Sequence, residues 1–542
     1  MRLTPSPATE SSAPAARPAG CVVFVGAGPG APDLLTVRAA EAIRHADVVV
    51  HDQLVPRQLL DSLGARADCI AAPRGNAAGD PGEATGRLLA GLATEGKFVV
   101  RLKGGDPTVF ARLAEELEPL RRQGVAVEFV PGITAALAAA AAAGVPLTSR
   151  AAASSLTIVT GHEAGDKPAA VDLGRLAAAP GTLVVYMGVD QVGRWSSDLV
   201  AAGRPPTTPV TIVSRCSWLD ERIIVTTLGG CAAEVERQRL QSPAVVIVGA
   251  AARPSAGGGP LQGRHVLLTR PAGQADELAT LVRGAGGTCG HLPLVRIEPP
   301  ASWEPLDEAI RLADRYDWIV FASTNGVRNF TARMRAAGRD GRSLGTARIA
   351  AVGPATRREL LAAGLVADLA PRVFSSEGLA EAFADAPRGS RFLLVRADLG
   401  RESLRQSLES AGHAVDEVTA YRSVPVEALE ADTLAAIDRA GIDWITVTSP
   451  AIAGAAVRCF GERLDRWKIA SISPLTSAAL HRAGVRETVE AERATMVDLV
   501  AAIVQFEAAG AAADALPSGS PQPAGPRGRT DPAGGARSRH RA

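Results

Sequence analysis

The sequence predicts an α/β protein composed of two successive blocks, each built on a largely parallel sheet. Short apolar runs alternate with segments of helical spacing along most of the chain, which is typical of this fold class. Several of the runs end in glycine-bearing turns, and ligands of open α/β sheets bind just beyond the carboxyl ends of strands. A Gly- and Pro-rich stretch at 252–260 has the composition of a flexible linker and separates the two blocks.

The elements follow in order along each block. Apolar runs predict strands, and apolar spacing of 3–4 residues predicts helices. In the first block the predicted strands are Cys21–Val25, Val48–Val50, Val99–Leu102, Val125–Val130, Leu156–Val159, Leu183–Tyr186 and Val245–Val248, and the predicted helices are Asp33–His45, Ala111–Gln123 and Thr134–Ala143. In the second block the predicted strands are His265–Thr269, Trp318–Ala322, Arg348–Val352, Arg391–Val395, Trp444–Thr448 and Lys468–Ile472.

Both ends of the chain are predicted to be disordered, because they are rich in Ala, Pro, Ser, Gly or Arg and poor in large apolar residues. The predicted organisation is an N-terminal tail (1–20), a first domain (21–251), the linker (252–260), a second domain (261–507) and a C-terminal tail (508–542).

Composition limits the classes of partner. The formal net charge of +1 predicts no general attraction to nucleic acid or to an anionic membrane. No apolar run reaches the roughly 20 residues that a membrane-spanning helix needs. The six cysteines form no CxxC pair and the eight histidines no HExxH, so no metal site is predicted. We expect a cytoplasmic protein that acts on small molecules.

The turn Gly104-Gly105-Asp106-Pro107 follows a predicted buried strand. Two glycines allow the backbone to approach a ligand closely, and the Asp106 carboxylate can accept hydrogen bonds from hydroxyls or hold a cation. The turn after the first strand, VGAGPGAPDLLT, also satisfies the dinucleotide fingerprint G-x-G-x-x-G/A, so an NAD site is a competing hypothesis. However, Pro29 and Pro32 remove two N–H donors that would bind a pyrophosphate, which favours a ligand without phosphates.

Two polar residues at strand ends are candidates for chemistry. Asp52 ends the second strand, where a carboxylate could take a proton from a substrate, although it could instead cap the loop 53–57. Thr134 follows the turn of VPGITAA and is either a helix N-cap or a ligand contact.

The ordered motifs VGAGPGAPDLLT, ADVVVHDQLV, VVRLKGGDP, VPGITAA, GVPLTSR, VTGH and TLVVYMG resemble uroporphyrinogen-III C-methyltransferases of the tetrapyrrole methylase family, over nearly all of 21–251. The resemblance implies a two-lobed α/β fold, S-adenosylmethionine as methyl donor, no metal and a homodimer formed through this domain. It places Asp52 as a proton acceptor. By matching motif position it implies a donor site made of Pro29, Gly104, Gly105, Asp106, Val109, Thr134, Ala135 and Met187.

The substrate of that family carries eight carboxylates, so the basic residues Arg101, Lys103 and Arg150 are expected near the cleft. Three features depart from the family pattern, and one of them is Phe110-Ala-Arg-Leu113, where the family usually has Phe-Gly-Arg-Gly after the GGDP turn. Arg74 stands where the family has a lysine proposed as proton donor, and an arginine stays protonated and cannot fill that role. Cys216 stands where a glycine normally contacts the donor, so its Cβ must find room.

Hydroxyl-rich turns follow several strands of the second block, and their order resembles that of uroporphyrinogen-III synthases. The matching pieces are LLTRPAGQADEL, FASTNGV, RIAAVGPATRREL, LLVRADLGRESL, VTAYRSV and ISPLTSAAL. The resemblance implies two lobes, with Pro299–Tyr421 as an inserted lobe, and a cofactor-free closure of linear hydroxymethylbilane. It implies that Tyr421 assists loss of the hydroxyl and that substrate contacts come from Ser323, Thr324, Arg396, Ser449 and Thr476. Without the resemblance, each Ser and Thr is equally well explained as a helix cap.

Together the two resemblances predict a bifunctional enzyme that makes uroporphyrinogen III from hydroxymethylbilane and methylates it twice to precorrin-2, on the route to sirohaem or cobalamin. Two alternatives remain at this stage. The first block could methylate a later corrin precursor. It could also be an NAD-binding oxidoreductase, joined to a second block that only binds tetrapyrrole.

Overall fold

Four five-stranded sheets, two in each half of the chain, form the protein. The computed structural model describes residues 20–56, 59–60, 67–73, 80–162, 171–253, 259–398 and 402–514. Arg74, one of the three departures from the family pattern, lies outside these residues. Every apolar run predicted as a strand overlaps an observed strand.

The first sheet is entirely parallel, as predicted, with the strand order β3-β2-β4-β1-β5. Strand β1, which lies between β4 and β5, is buried along its whole length. The strands are β1 (Cys21–Gly26), β2 (Val48–His51), β3 (Asp68–Ala71), β4 (Phe98–Lys103) and β5 (Ala126–Val130), and the helices α1 (Val37–His45), α2 (Pro81–Thr94) and α3 (Leu113–Arg122) accompany them.

The second sheet, of order β6-β7-β10-β8-β9, is mixed rather than largely parallel. Only β6 and β7 run parallel, whereas β10 is antiparallel to both of its neighbours and β8 is antiparallel to β9. A strand buried on both faces is apolar throughout whatever its direction, so hydropathy does not reveal direction. The strands are β6 (Leu156–Thr160), β7 (Thr182–Tyr186), β8 (Pro209–Ser214), β9 (Arg222–Thr227) and β10 (Ala244–Val248), with helices α4 (Ala135–Ala143), α5 (Leu173–Ala178), α6 (Val192–Ala201) and α7 (Cys231–Gln238).

Helix α4 joins the two lobes of the first half. It follows β5 of the first sheet, yet its alanines pack with Val184, Val213 and Ile247 of the second sheet. Small side chains let the helix lie close to the strands, so the turn before α4 is held between the two lobes.

The third and fourth sheets form the two lobes of the second half. The third is parallel, with order β12-β11-β18-β19-β20. The fourth has order β13-β17-β16-β14-β15, in which only β13 is antiparallel to its neighbour. The strands are β11 (His265–Leu268), β12 (Thr288–His291), β13 (Val295–Glu298), β14 (Trp318–Phe321), β15 (Arg348–Ala351), β16 (Arg391–Ala397), β17 (Ala414–Pro425), β18 (Trp444–Val447), β19 (Lys468–Ser471) and β20 (Val489–Glu490).

The chain enters the fourth sheet at β13 and leaves it at β17, and these two strands pair with each other. The predicted inserted lobe, Pro299–Tyr421, falls within this span. The helices of this half are α8 (Asp276–Gly284), α9 (Glu304–Arg311), α10 (Thr324–Ala336), α11 (Pro354–Ala362), α12 (Ser376–Ala382), α13 (Ser403–Ser410), α14 (Ala431–Ala440), α15 (Pro450–Phe460), α16 (Pro474–Arg482) and α17 (Met496–Asp514).

Helix α17 continues beyond residue 507, where the sequence predicted a disordered tail to begin. Its continuation is alanine-rich, and alanine is the residue most favourable to a helix. The buried Glu507 anchors the helix, because its carboxylate accepts hydrogen bonds from the Trp444 indole at 2.9 Å and from the Lys468 ammonium at 2.6 Å. Within the described ranges, no helix has both the length and the apolar character that crossing a bilayer requires.

Candidate active sites

Three glycine-bearing turns meet at one edge of the first sheet. Gly28 and Gly105 exchange backbone hydrogen bonds of 3.1 and 2.8 Å, which join the turn after β1 to the turn after β4. The turn after β5 packs against both, since a Cβ on Gly132 would lie 2.2 Å from the Gly105 carbonyl oxygen. The motifs singled out in the sequence are therefore adjacent in space, and bare backbone at Gly132 is needed to bring them together.

Gly104 differs from its neighbours because packing does not require it to be glycine. A Cβ there would meet only Leu54, at 3.8 Å. The backbone of Gly104 therefore borders open space at the sheet edge. This is the position at which a ligand can approach the main chain closely.

Asp106 connects two of the three turns. One carboxylate oxygen accepts hydrogen bonds from the backbone and hydroxyl of Thr108, and the other accepts one from the Gly132 N–H at 3.0 Å. Partial burial would raise the pKa of this carboxyl, but the hydrogen bonds from Thr108 and Gly132 outweigh it and lower the pKa below 3.8. The ionised Asp106 carboxylate thus holds the turn after β4 and the turn after β5 together.

Asp52 faces the same group of turns. One of its oxygens accepts a hydrogen bond from the Arg101 guanidinium at 2.5 Å, and the other lies 3.4 Å from the Gly104 N–H. The side chain remains 31% exposed. Among the described residues, the side-chain hydrogen bonds of Asp52 go to β4 and to the turn that follows it. Arg57, the last residue of the loop 53–57, lies outside the described residues.

The basic pair of β4 points inward, so neither side chain is exposed to the substrate cleft, although Arg101 bonds to Asp52 beside it. Arg101 and Lys103 are each 2% exposed, and both contact the buried carboxylate of Glu116 on α3. With Asp52 they form a four-residue network of two cations and two anions. A buried charge must be paired, and Glu116 was not recognised in the sequence as the partner. Of the three basic residues only Arg150 is exposed.

Thr134 occupies the N-cap position of α4, but its hydroxyl does not cap the helix. The Tyr186 hydroxyl lies 2.6 Å from the Thr134 hydroxyl and accepts a hydrogen bond of 2.5 Å from the Ala136 N–H. A tyrosine from the second sheet thereby caps a helix that follows the first. The next residue, Met187, adopts a left-handed backbone with φ of 53° and is exposed, which is an uncommon conformation concentrated at functional sites.

The remaining predicted donor-site residues border this junction. Val109 and Ala135 are partly buried against the cluster that joins α4 to the second sheet. The carbonyl of Pro29 accepts a hydrogen bond of 3.1 Å from the indole N–H of Trp218. Cys216 is partly buried in the same cluster, so its side chain has found room in the apolar interior.

The fingerprint turn after β1 has few donors to offer a pyrophosphate. The N–H groups of Ala27 and Gly28 bond to carbonyls of the β4 turn, and that of Ala31 donates to the Ser217 hydroxyl. The turn leads into a single 3₁₀ turn, and α1 begins only at Val37 with Thr36 as its cap. These contacts disfavour the NAD hypothesis.

In the second half, Tyr421 and Ser323 meet at the end of the fourth sheet. The Tyr421 hydroxyl donates a 2.9 Å hydrogen bond to the Ser323 hydroxyl. Burial raises the pKa of the Tyr421 phenol, so it stays protonated and able to donate at neutral pH. The register of β16 against β17 shifts at Arg396/Ala397, beside Tyr421, as bulges near functional sites do.

The predicted hydroxyl contacts serve the helices in the structure. Ser323 and Ser449 accept hydrogen bonds from the backbone at the starts of α10 and α15, Thr324 is the first residue of α10, and Thr476 is buried in α16. Arg396 forms a 2.6 Å ion pair with Glu417. Tyr421, Ser323 and its neighbour Thr324 thus lie at the end of the fourth sheet, with Arg396 on the adjacent strand β16. Ser449 and Thr476 follow strands β18 and β19 of the third sheet.

A contact that the sequence did not reveal joins the two lobes of this half. The Gln274 amide donates to the Asn325 side chain at 3.0 Å, between the third-sheet lobe and the first turn of α10. Glu277 and Arg358 approach to 3.9 Å in the same region. No local pattern pairs residues this far apart along the chain, although Asn325 lies in the quoted motif FASTNGV. The described residues contain no cluster of three or more side chains suited to a metal ion.

Two family profiles match the chain. The profile of the tetrapyrrole (corrin/porphyrin) methylases matches residues 21–232, and that of uroporphyrinogen-III synthase HemD matches residues 276–501. The two matches therefore fall in separate halves.

Individual proteins match one half or both. The chain is 31% identical over 437 residues to a porphyrin biosynthesis protein HemD of Ruminiclostridium josui, a match that covers 79% of this chain and 87% of the relative. It is 42% identical to an S-adenosyl-L-methionine-dependent uroporphyrinogen III methyltransferase of Methanosarcina barkeri, over 42% of this chain and 91% of that one. A solved uroporphyrin III C-methyltransferase of Thermus thermophilus is 38% identical, with a TM-score of 0.37, over 43% of this chain and 92% of that chain.

Proposed function

Because the chain belongs to the family of porphyrin biosynthesis proteins that join a tetrapyrrole methylase to a uroporphyrinogen-III synthase, we propose that it performs two consecutive reactions. The second half cyclises hydroxymethylbilane to uroporphyrinogen III. The first half then transfers two methyl groups from S-adenosylmethionine to give precorrin-2.

The observation that carries the methyltransferase proposal is the joining of three glycine turns around open space at Gly104, with Asp52 beside it. The site has the features that a sulfonium donor requires. It has a bare backbone for close approach, the carboxyl group of Asp52 nearby, and few N–H groups aimed at a phosphate. Pro29, the Gly104–Asp106 turn, Thr134 and Met187 would hold the donor.

When bound, S-adenosylmethionine supplies an electrophilic methyl group to a nucleophilic carbon of the reduced macrocycle. The protein contributes orientation and a base. The Asp52 carboxylate takes up the proton that the macrocycle loses, and Arg101 holds the carboxylate in place through its 2.5 Å hydrogen bond. Because Arg101 and Lys103 are neutralised inside the domain, the carboxylates of the substrate must meet other cations, of which the exposed Arg150 is one candidate.

In the second half, Tyr421 assists departure of the hydroxyl group of hydroxymethylbilane as water. Its protonated hydroxyl is the acid. In the structure it donates a 2.9 Å hydrogen bond to Ser323, and the substrate hydroxyl replaces Ser323 as the acceptor when the bilane binds. Ring closure then joins the carbon that carried this hydroxyl group to the terminal pyrrole, with inversion of that ring. The Gln274–Asn325 contact sets how close the two lobes lie while the bilane is folded between them.

Incubation with hydroxymethylbilane and methyl-labelled S-adenosylmethionine tests both steps. Chromatography of the oxidised products separates the type I and type III isomers, which have the same mass, and mass spectrometry counts the labelled methyl groups. We expect a type III macrocycle that carries two labelled methyl groups. Unmethylated type III product would contradict the methyltransferase assignment, and only the type I isomer, which forms spontaneously, would contradict the synthase assignment. A later corrin precursor offered in parallel should remain unlabelled, and its methylation would favour the alternative substrate.

A further inference from the structure

The loop between β8 and β9, residues 215–221, connects the two halves. Leu219 belongs to the first half, but its side chain packs against the apolar core of the third-sheet lobe. Its carbonyl oxygen accepts a hydrogen bond of 3.0 Å from the Nε2 of His265. A Cβ on Gly290 of β12 would lie 2.8 Å from the Leu219 carbonyl oxygen, so the two backbones are in direct contact.

A buried ion pair strengthens this contact. Asp220 is 2% exposed, and one of its oxygens accepts a 2.5 Å hydrogen bond from Arg215 in the same loop. The other oxygen accepts a 3.2 Å hydrogen bond from Arg439 on α14, in the synthase half. A buried carboxylate needs its partners, so the loop is held in place by a cation that belongs to the other half.

The opposite side of the loop holds the turn after β1, which we propose binds the methyl donor. The Trp218 indole N–H donates to the Pro29 carbonyl at 3.1 Å, and the Ser217 hydroxyl accepts from the Ala31 N–H at 3.1 Å. The loop therefore touches the synthase half with one side and the donor turn with the other.

The loop conformation itself is strained. Arg215 and Ser217 have φ values of 52° and 65°, in the left-handed region that favours glycine. Such residues persist only where surrounding contacts determine them. The Arg215 guanidinium stacks 4.2 Å from the Trp218 ring and bonds to Asp220, so the contact with the synthase half helps to keep the strained form.

The hydrogen bonds from His265 to Leu219 and from Arg439 to Asp220 both join the synthase half to this loop. A cavity of about 600 Å³, lined by residues of both halves, lies beside it. Arg283 and Asp33, which border the cavity from opposite halves, approach only to 4.0 Å. Residues 215–221 therefore connect the synthase half to the donor turn through direct contacts.

We propose that the synthase half positions the methyl-donor turn through this loop, with Arg439 as a positioning residue for the methyltransferase. The inference rests on the proposed donor site. It implies that donor affinity in the first half depends on an arginine that touches neither donor nor substrate.

Arg439→Ala in the full chain tests the inference. We expect KM and Kd for S-adenosylmethionine to rise by about three- to tenfold, the range for a half-exposed, charge-assisted hydrogen bond, with kcat and synthase turnover unchanged. Arg439→Lys should restore part of the affinity. Arg463→Ala is the matched control. Arg463 makes a surface ion pair with Asp438, which precedes Arg439 on α14, so its loss should leave donor affinity unchanged.

A second variant crowds the loop, whereas Arg439→Ala removes one of its contacts. Gly290→Ala would move Leu219, and we expect the same rise in KM together with faster hydrogen exchange in residues 215–221. Gly284→Ala is its control, since a Cβ there meets nothing within 4 Å. Wild-type donor affinity in both Arg439→Ala and Gly290→Ala would overturn the inference. Failure of the wild-type chain itself to bind the donor would instead overturn the proposed function.

Discussion

Replacing Glu116 by glutamine is expected to destabilise the methyltransferase half strongly. Glu116 accepts hydrogen bonds of 2.8 Å from two nitrogens of Arg101 and also contacts Lys103, all three side chains being buried. Removing one partner of a buried ion pair costs about 3–5 kcal/mol. We expect the lower end, about 3 kcal/mol, because Asp52 still pairs with Arg101. For a domain of this size that is a fall in Tm of roughly 6–12 °C.

Calorimetry of the full chain measures this change, and hydrogen exchange at Phe98–Lys103 assigns it to the first sheet. Glu118→Gln is the control on the same helix, because Glu118 pairs with Arg122 at the surface and should leave Tm unchanged. A fall of less than about 2 °C in Glu116→Gln would refute the reasoning, since it would show that the two buried cations do not need this carboxylate.

Three further outcomes concern the sites themselves. Asp52→Asn should lower the methylation rate by about 10²–10⁴-fold, the usual contribution of a general base, while calorimetric titration shows donor affinity little changed; full activity would return Asp52 to a structural role. The pKa of Asp106 is lowered in the folded state, so its ionised form stabilises the fold above pH 3.8, and this stabilisation is lost as the pH falls through the folded-state pKa. The Tm of Asp106→Asn should therefore fall less steeply in acid than the Tm of the wild type. Parallel curves of Tm against pH would contradict this. Tyr421→Phe should slow the synthase by about tenfold or more and raise the share of the type I isomer, with methylation of supplied uroporphyrinogen III unchanged; an unaltered isomer ratio would remove Tyr421 from the reaction.

The strand positions and the glycine turns of the first half were predictable because each is written in a few neighbouring residues. Apolar runs marked the central strands β1 and β4, and the fold class and both families are confirmed. Strands β9 and β17 were missed, since partly exposed strands with polar residues lack a continuous apolar run, and in the buried β8 the apolar run is interrupted by Thr211. The residues assigned to the donor site and the synthase cleft stay predictions.

Residue order alone established which turns lack side chains, which strand ends carry carboxylates or hydroxyls, and which families the two halves resemble, because these properties are local. The tertiary structure determined which of these residues contact each other. In the folded chain Arg101 points inward and bonds to Glu116, and the Thr134 hydroxyl bonds to the Tyr186 hydroxyl. Asp220 accepts hydrogen bonds from two arginines that belong to different halves. A charge or a hydroxyl reports only its capacity to bond, and its partner is chosen by burial and by the packing of elements distant along the chain.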